Sequence, residues 1–148
     1  MKIAVASDHG GFALKELVKK HLEERGAEVL DLGTHSEESV DYPIYGKRCA
    51  EAVASGEADL GVVCCGTGIG ISIAANKVKG AYAALVNNVY QAQRAELSNH
   101  ANIITMGAQV TGIELAKCLV KEYLSVSFDP NSRSVPKIKA ICDYEQEG

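Results

Sequence analysis

The chain has 148 residues, 47% of them apolar and 23% charged, with 15 Lys plus Arg against 19 Asp plus Glu. About 150 residues can bury roughly 70% of the surface an unfolded chain exposes, so a core can form without disulfides or metal, and a disordered chain is excluded. The net charge of −4, with no cationic cluster larger than the Lys19-Lys20 pair, excludes a nucleic-acid-binding stripe but leaves room for a small anion.

Taken in chain order, residues 3–6 form a short apolar strand that stops at Ser7-Asp8-His9-Gly10-Gly11. Phe12, Leu14, Leu17, Val18 and Leu22 then recur at helical spacing as far as Arg25, and Gly26 supplies the stop. A second strand covers 28–32, and Pro43 opens a helix that runs to about Ser55. Residues 60–65 (LGVVCC) are continuously apolar, the pattern of a strand buried on both faces of a parallel sheet. Gly66-Thr67-Gly68-Ile69-Gly70 follows it. Next come a short helix near 71–76, a strand at 81–86, a helix at 89–97, a strand at 102–106 and a helix at 111–124. A turn-rich stretch from Ser127 leads to a last helix beginning at Val135. The alternation predicts one α/β domain over 1–148, with a mostly parallel sheet and helices on both faces.

MKIAVASDHGG lacks the apolar core of a signal peptide, and no apolar run reaches the ~18 to 20 residues of a membrane span, so a cytoplasmic protein without membrane partners is expected. Five cysteines without C-x-x-C spacing suit neither a disulfide framework nor a zinc site, and no metal is expected. Cys49, Cys64, Cys118 and Cys142 read as small buried residues.

Ligands of open α/β sheets bind at the carboxyl ends of the strands. That rule selects Asp8 to Gly11, Cys65 to Gly70, Asn87 with Asn88, and Gly107 to Gln109. Gly66, Gly68 and Gly70 would let backbone N–H groups approach an anion or developing oxyanion, with the start of the next helix adding its positive end. The spacing is G-x-G-x-G, it follows the third strand rather than the first, and no acidic residue lies about 20 positions on, all of which speaks against a dinucleotide site. Cys65 stands at a strand end leading into a helix, where a thiolate becomes available, while Cys64 should point to the opposite face. Asp8 either caps the following helix or joins His9 and Cys65 in a site. His21 and His35 read as a solvated helix face and a loop. His100, with Asn99 and Asn102, precedes the fifth strand, at an end that geometry alone would not select.

CGTGIGISIAANK at 65–77, SDHGGFALK at 7–15 and VDYPIYGK at 40–47 resemble the type B ribose-5-phosphate isomerase family, which includes allose-6-phosphate isomerase and galactose-6-phosphate isomerase subunits. The resemblance covers nearly the whole chain. It implies a Rossmann-like three-layer αβα sandwich with a five-stranded parallel sheet. The implied activity is a cofactor-free, metal-free aldose–ketose interconversion, ribose 5-phosphate to ribulose 5-phosphate in the first instance. The enediol base falls on Cys65 with Thr67 beside it, and the backbone of Gly66, Gly68 and Gly70 stabilises the enediolate. Asp8 and His9 match the pair at the sugar and phosphate, Tyr42 an active-site tyrosine, and Asn99 a sugar-binding asparagine.

Three departures accompany the match. Ser98 stands where the family has its ring-opening histidine, and His100 follows Asn99 instead. Gln109 replaces an arginine, and the two tail cations are Arg133 and Lys137, the latter a point charge rather than a bidentate fork. Either the substrate is a six-carbon or short sugar phosphate rather than ribose 5-phosphate, or His100 takes over ring opening. A non-catalytic sugar-phosphate-binding subunit is the reading from another class, and retention of Cys65 with Thr67 argues against it. Because relatives build the site between two subunits, the tail at about 127–148 is expected to contact a second copy, in a homodimer or a dimer of dimers.

Overall fold

The computed structural model describes residues 1–148. Its most apolar runs become strands buried on both faces: β1 (Lys2–Ser7), β3 (Leu60–Cys65) and β5 (Ile103–Gly107) bury every residue except Lys2 and Leu60. β2 (Glu28–Asp31) and β4 (Ala83–Leu85) are the shallower edge strands. The order is β2-β1-β3-β5-β4, with every pair parallel. Helices α1 (Phe12–Glu24), α2 (Tyr42–Ala54), α3 (Ile69–Ala75), α4 (Val89–Leu97) and α5 (Ile113–Leu124) form the crossovers, and α6 (Val135–Glu147) ends the chain. Side chains alternate along each strand. Ile3, Val5, Val62, Cys64, Ile104 and Met106 therefore pack against α1, α4 and α5, while Ala4, Ala6, Val63, Cys65 and Ile103 pack against α2 and α3. The result is the three-layer α/β sandwich that the alternation predicts. No helix is long and apolar enough to cross a membrane.

Several local expectations change. β4 spans only Ala83–Leu85 because the Asn102 side chain engages the segment before it, accepting from Tyr82 N–H at 2.8 Å and donating to the Gly80 carbonyl at 2.9 Å. Asp8 caps a one-turn 3₁₀ helix (His9–Gly11) that precedes α1, rather than α1 itself. α3 begins at Ile69, two residues before the expected start. Cys118 is exposed and Cys142 half-buried, so only Cys49 and Cys64 are the small core thiols anticipated. His21 is not simply solvated: its Nε2 is buried without a partner, and burial lowers its pKa below the usual 6.5. Lys15, in the first turns of α1, is fully buried.

Candidate active site

The chain leaves β1 toward β2 on one side and reaches β3 on the other, so strand order reverses between the carboxyl ends of β1 and β3. An open cleft of about 470 Å³ lies there, lined by Asp8, Tyr42, Cys65, Gly66, Thr67 and Gly70, with Ile69 and Ile73 at its rim. A larger groove of about 610 Å³ beside Arg48, Glu51 and Val78 holds no thiol, imidazole or glycine turn, so size does not locate the chemistry.

Cys65 is 5% exposed, and its sulfur accepts the Gly68 N–H at 3.1 Å. Gly68 sits at φ +80, a left-handed conformation open to glycine, and this turns its N–H back onto the thiol. The turn's carbonyls are drawn toward β5: Ala108 N–H donates to the Cys65 carbonyl and Gln109 N–H to that of Gly66, each at 2.9 Å. The Thr105 hydroxyl donates to the Gly68 carbonyl at 2.9 Å. These bonds occupy acceptor lone pairs that would otherwise repel an anion. Thr67 Oγ1 accepts the Ile69 N–H at 3.3 Å, leaving its own hydroxyl hydrogen to donate to a ligand. α3 has seven residues, so the turn's own donors, more than a long helix dipole, supply the positive side.

Asp8 is buried, with Oδ1 taken by the Gly11 N–H at 3.0 Å and its other oxygen free of protein partners. His9 Nδ1 rests on the Val40 backbone, 3.1 Å from its N–H and 3.2 Å from its carbonyl, so Val40 holds the ring in either neutral tautomer. The Tyr42 ring lies against Gly70, leaving no room there for a side chain. Cys64 belongs to the opposite core, where burial pushes its thiol far above the ordinary range.

One chain does not bring all the expected residues together. Asp8, Tyr42, Cys65, Gly66, Thr67 and Gly70 line the cleft, and Gly68 lies beneath it. Asn99 and His100 precede β5, at the amino edge of the sheet. They also part company: Asn99 lines a cavity with Asn76, Tyr82 and Ile138, and His100 lines another with Leu60, Tyr123 and Phe128. Arg133 and Lys137 are exposed outside the cleft, next to or on α6, which is fastened where Glu145 accepts from Gly80 N–H at 2.9 Å and Tyr82 hydroxyl at 2.7 Å. Thr105 escaped the sequence reading, although a lone hydroxyl in the apolar run IITMG signals it. The Gln109 side chain lies over Gly66, 3.7 Å from where a β-carbon would stand.

Residues 3–141 match the ribose/galactose isomerase family. The chain is 47% identical to the D-erythrulose-4-phosphate isomerase 2 of Mycolicibacterium smegmatis over 148 residues, covering 98% of this chain and 97% of that one. It is 46% identical to ribose-5-phosphate isomerase B of Escherichia coli over 145 residues, with coverage of 98% and 97%. The solved structure of Clostridium thermocellum ribose-5-phosphate isomerase B superposes with a TM-score of 0.97 at 48% identity, covering 99% of both chains.

Proposed function

The chain belongs to the ribose/galactose isomerase family, and from that premise we propose that its cleft interconverts an aldose phosphate and a ketose phosphate with Cys65 as the base. The Cys65 thiolate takes the proton from C2 of the open-chain aldose, and the electron pair moves onto the C1 carbonyl oxygen to give an enediolate. Proton transfer between the two enediol oxygens and return of the carbon-bound proton to C1 complete the ketose. The Thr67 hydroxyl and the turn's N–H groups other than those of Gly68 and Ile69, which already donate to the Cys65 sulfur and to Thr67 Oγ1, serve the oxygen that gains charge. Asp8 and Tyr42 border the sugar, and the His9 ring serves the phosphate. The observation that carries this reading is the Gly68 N–H held on the Cys65 sulfur in the cleft wall.

Exchange of the substrate's C2 proton with solvent tests it, using ribose 5-phosphate, erythrose 4-phosphate, allose 6-phosphate and galactose 6-phosphate. The parent should exchange at least one of these, and Cys65→Ala should lose about 10² to 10⁴ in kcat. Binding without exchange would instead establish a non-catalytic subunit.

For the substrate, the surroundings of residues 98–100 favour a phosphate with no ring to open. Ser98 accepts from Arg94 Nε at 2.6 Å, and His100 is held by Glu96 at 2.7 Å and stacked on Phe128, away from Asn99. A four-carbon aldose phosphate esterified at O4 cannot close a five-membered ring, and the mycobacterial relative is named for a four-carbon ketose phosphate. Ribose 5-phosphate is the second reading, favoured by the overlay on the clostridial structure. Ranking by kcat/KM separates them: efficient ribose 5-phosphate turnover that collapses in His100→Ala would establish the second.

We also assign Asn99, Arg133 and Lys137 to the cleft of a second copy, in a homodimer or dimer of dimers. Their distance from Cys65 within one chain supports this, as do Ile69 and Ile73, 53% and 57% exposed at the cleft rim.

A further inference from the structure

Lys15 is fully buried, and a buried lysine must be paired to be tolerated. Its Nζ reaches both Asp31 oxygens, at 2.9 and 3.1 Å, and the Thr34 carbonyl at 2.6 Å, with Glu16 at 3.1 Å. The Phe12 ring lies 5.2 Å away, on the same helix. The same Asp31 carboxylate accepts the Gly33 N–H at 3.0 Å and Lys19 at 3.2 Å. Lys15 thus binds the end of β2 and the segment after it to the first turns of α1.

That segment is joined to the cleft from two directions. Ser7 N–H donates to the Gly33 carbonyl and Thr34 N–H donates to the Ser7 carbonyl, both at 2.8 Å, so residues 33–34 extend the ladder along the last residue before Asp8. The chain then runs on to Val40, whose backbone fixes the His9 ring, and to Tyr42 on Gly70. The Cys65–Gly70 turn takes its hydrogen bonds instead from Thr105 in β5 and from Ala108 and Gln109 just after it, and touches this segment through the Tyr42 ring on Gly70.

We propose that Lys15 is a positioning residue: through Asp31 and the Thr34 carbonyl it holds Asp8 in the cleft wall and His9 beside it, while the turn after Cys65 takes its own hydrogen bonds from Thr105, Ala108 and Gln109. This rests on the isomerase reading. The wall borders the sugar and phosphate and the thiol performs the proton transfer, so loosening the wall weakens substrate binding and spares the chemical step.

The experiment compares the parent with Lys15→Met and with Lys15→Met/Asp31→Asn, which removes the carboxylate charge left behind and keeps the test available should the single variant fold poorly. Steady-state isomerisation well below the unfolding temperature should show KM raised about tenfold with kcat within about twofold of parent in both variants. Loss of folded protein alone would do the reverse, lowering apparent kcat with KM unchanged, and that result would overturn the proposal. So would a double variant whose KM returns to the parental value, since it still lacks the donor to Thr34. Nitrogen-15 NMR of His9 gives a readout independent of turnover. Parent His9 should show its Nδ1 hydrogen-bonded to the Val40 backbone, and in the variants the Nδ1 signal should move to that of a free ring. An unchanged His9 signal would sink the positioning role, whereas a parent that isomerises no sugar phosphate, with His9 still responding to Lys15→Met, would sink only the isomerase reading.

Discussion

Two adjacent cysteines have opposite fates. Strand alternation sends Cys64 into the core beneath α1 and Cys65 to the face of α2 and α3, at the edge of the cleft. Cys64→Ala should keep kcat and lose about 1 kcal/mol in urea unfolding, the scale of a small core truncation. Gly68→Ala should do the opposite kind of damage. A β-carbon there would stand 2.8 Å from the Met106 carbonyl carbon and would strain a left-handed residue, so the turn must move and the N–H leaves the Cys65 sulfur. We expect kcat to fall by more than KM rises, as checked by steady-state kinetics against the best substrate. Cys65 and the three turn glycines were legible from letter spacing at a strand end. Thr105 and Lys15 were not, because a hydroxyl or an ammonium announces its partners only when the carbonyl it bonds to, on Gly68 or Thr34, is brought to it by the fold.

At the scale of elements, the central strands could be read with little error because a strand buried on both faces must be apolar throughout. The edge could not. β4 is cut short by a side chain, Asn102, that occupies the hydrogen-bonding groups a longer strand would use. α6 shows the same dependence on single side chains. None of its residues is fully buried, and Glu145 ties it to Gly80 and Tyr82. Glu145→Ala should cost about 1 to 3 kcal/mol, the range for leaving such partners unsatisfied, and should release α6 to proteolysis before the sheet unfolds. If Arg133 and Lys137 serve a neighbouring cleft, that variant should also raise KM.

For the whole molecule, acid stability follows from two groups whose pKa values are lower in the fold. Burial, with Arg25 and Lys117 nearby, lowers His21 from 6.5. Asp31 is pushed up by burial, but the bonds from Lys15, Gly33 and Lys19 outweigh this and its pKa falls below 3.8. In both cases the unfolded chain binds the proton more readily, so stability is present above the unfolded pKa and is lost as pH falls through the folded one. Urea unfolding should therefore show one loss of stability beginning below about pH 6.5, absent in His21→Leu, and another beginning below about pH 3.8. Assembly has its own test. Co-refolded Cys65→Ala and Arg133→Ala chains should recover activity that neither has alone if the cleft is completed by a second copy, and should recover none if each chain works by itself.

The α/β class, the parallel sheet, the carboxyl-edge location of Cys65 and its glycine turn, and the family can be read from the letters alone, because they depend on periodicity and on short runs of contiguous residues. It takes the fold to show that Asn99 and His100 face different cavities, that the two tail cations stand outside the cleft of their own chain, and that Lys15 is buried behind β1 and β2. Those facts depend on which residues distant in sequence become neighbours, and contacts across the sheet leave no periodic trace in the chain.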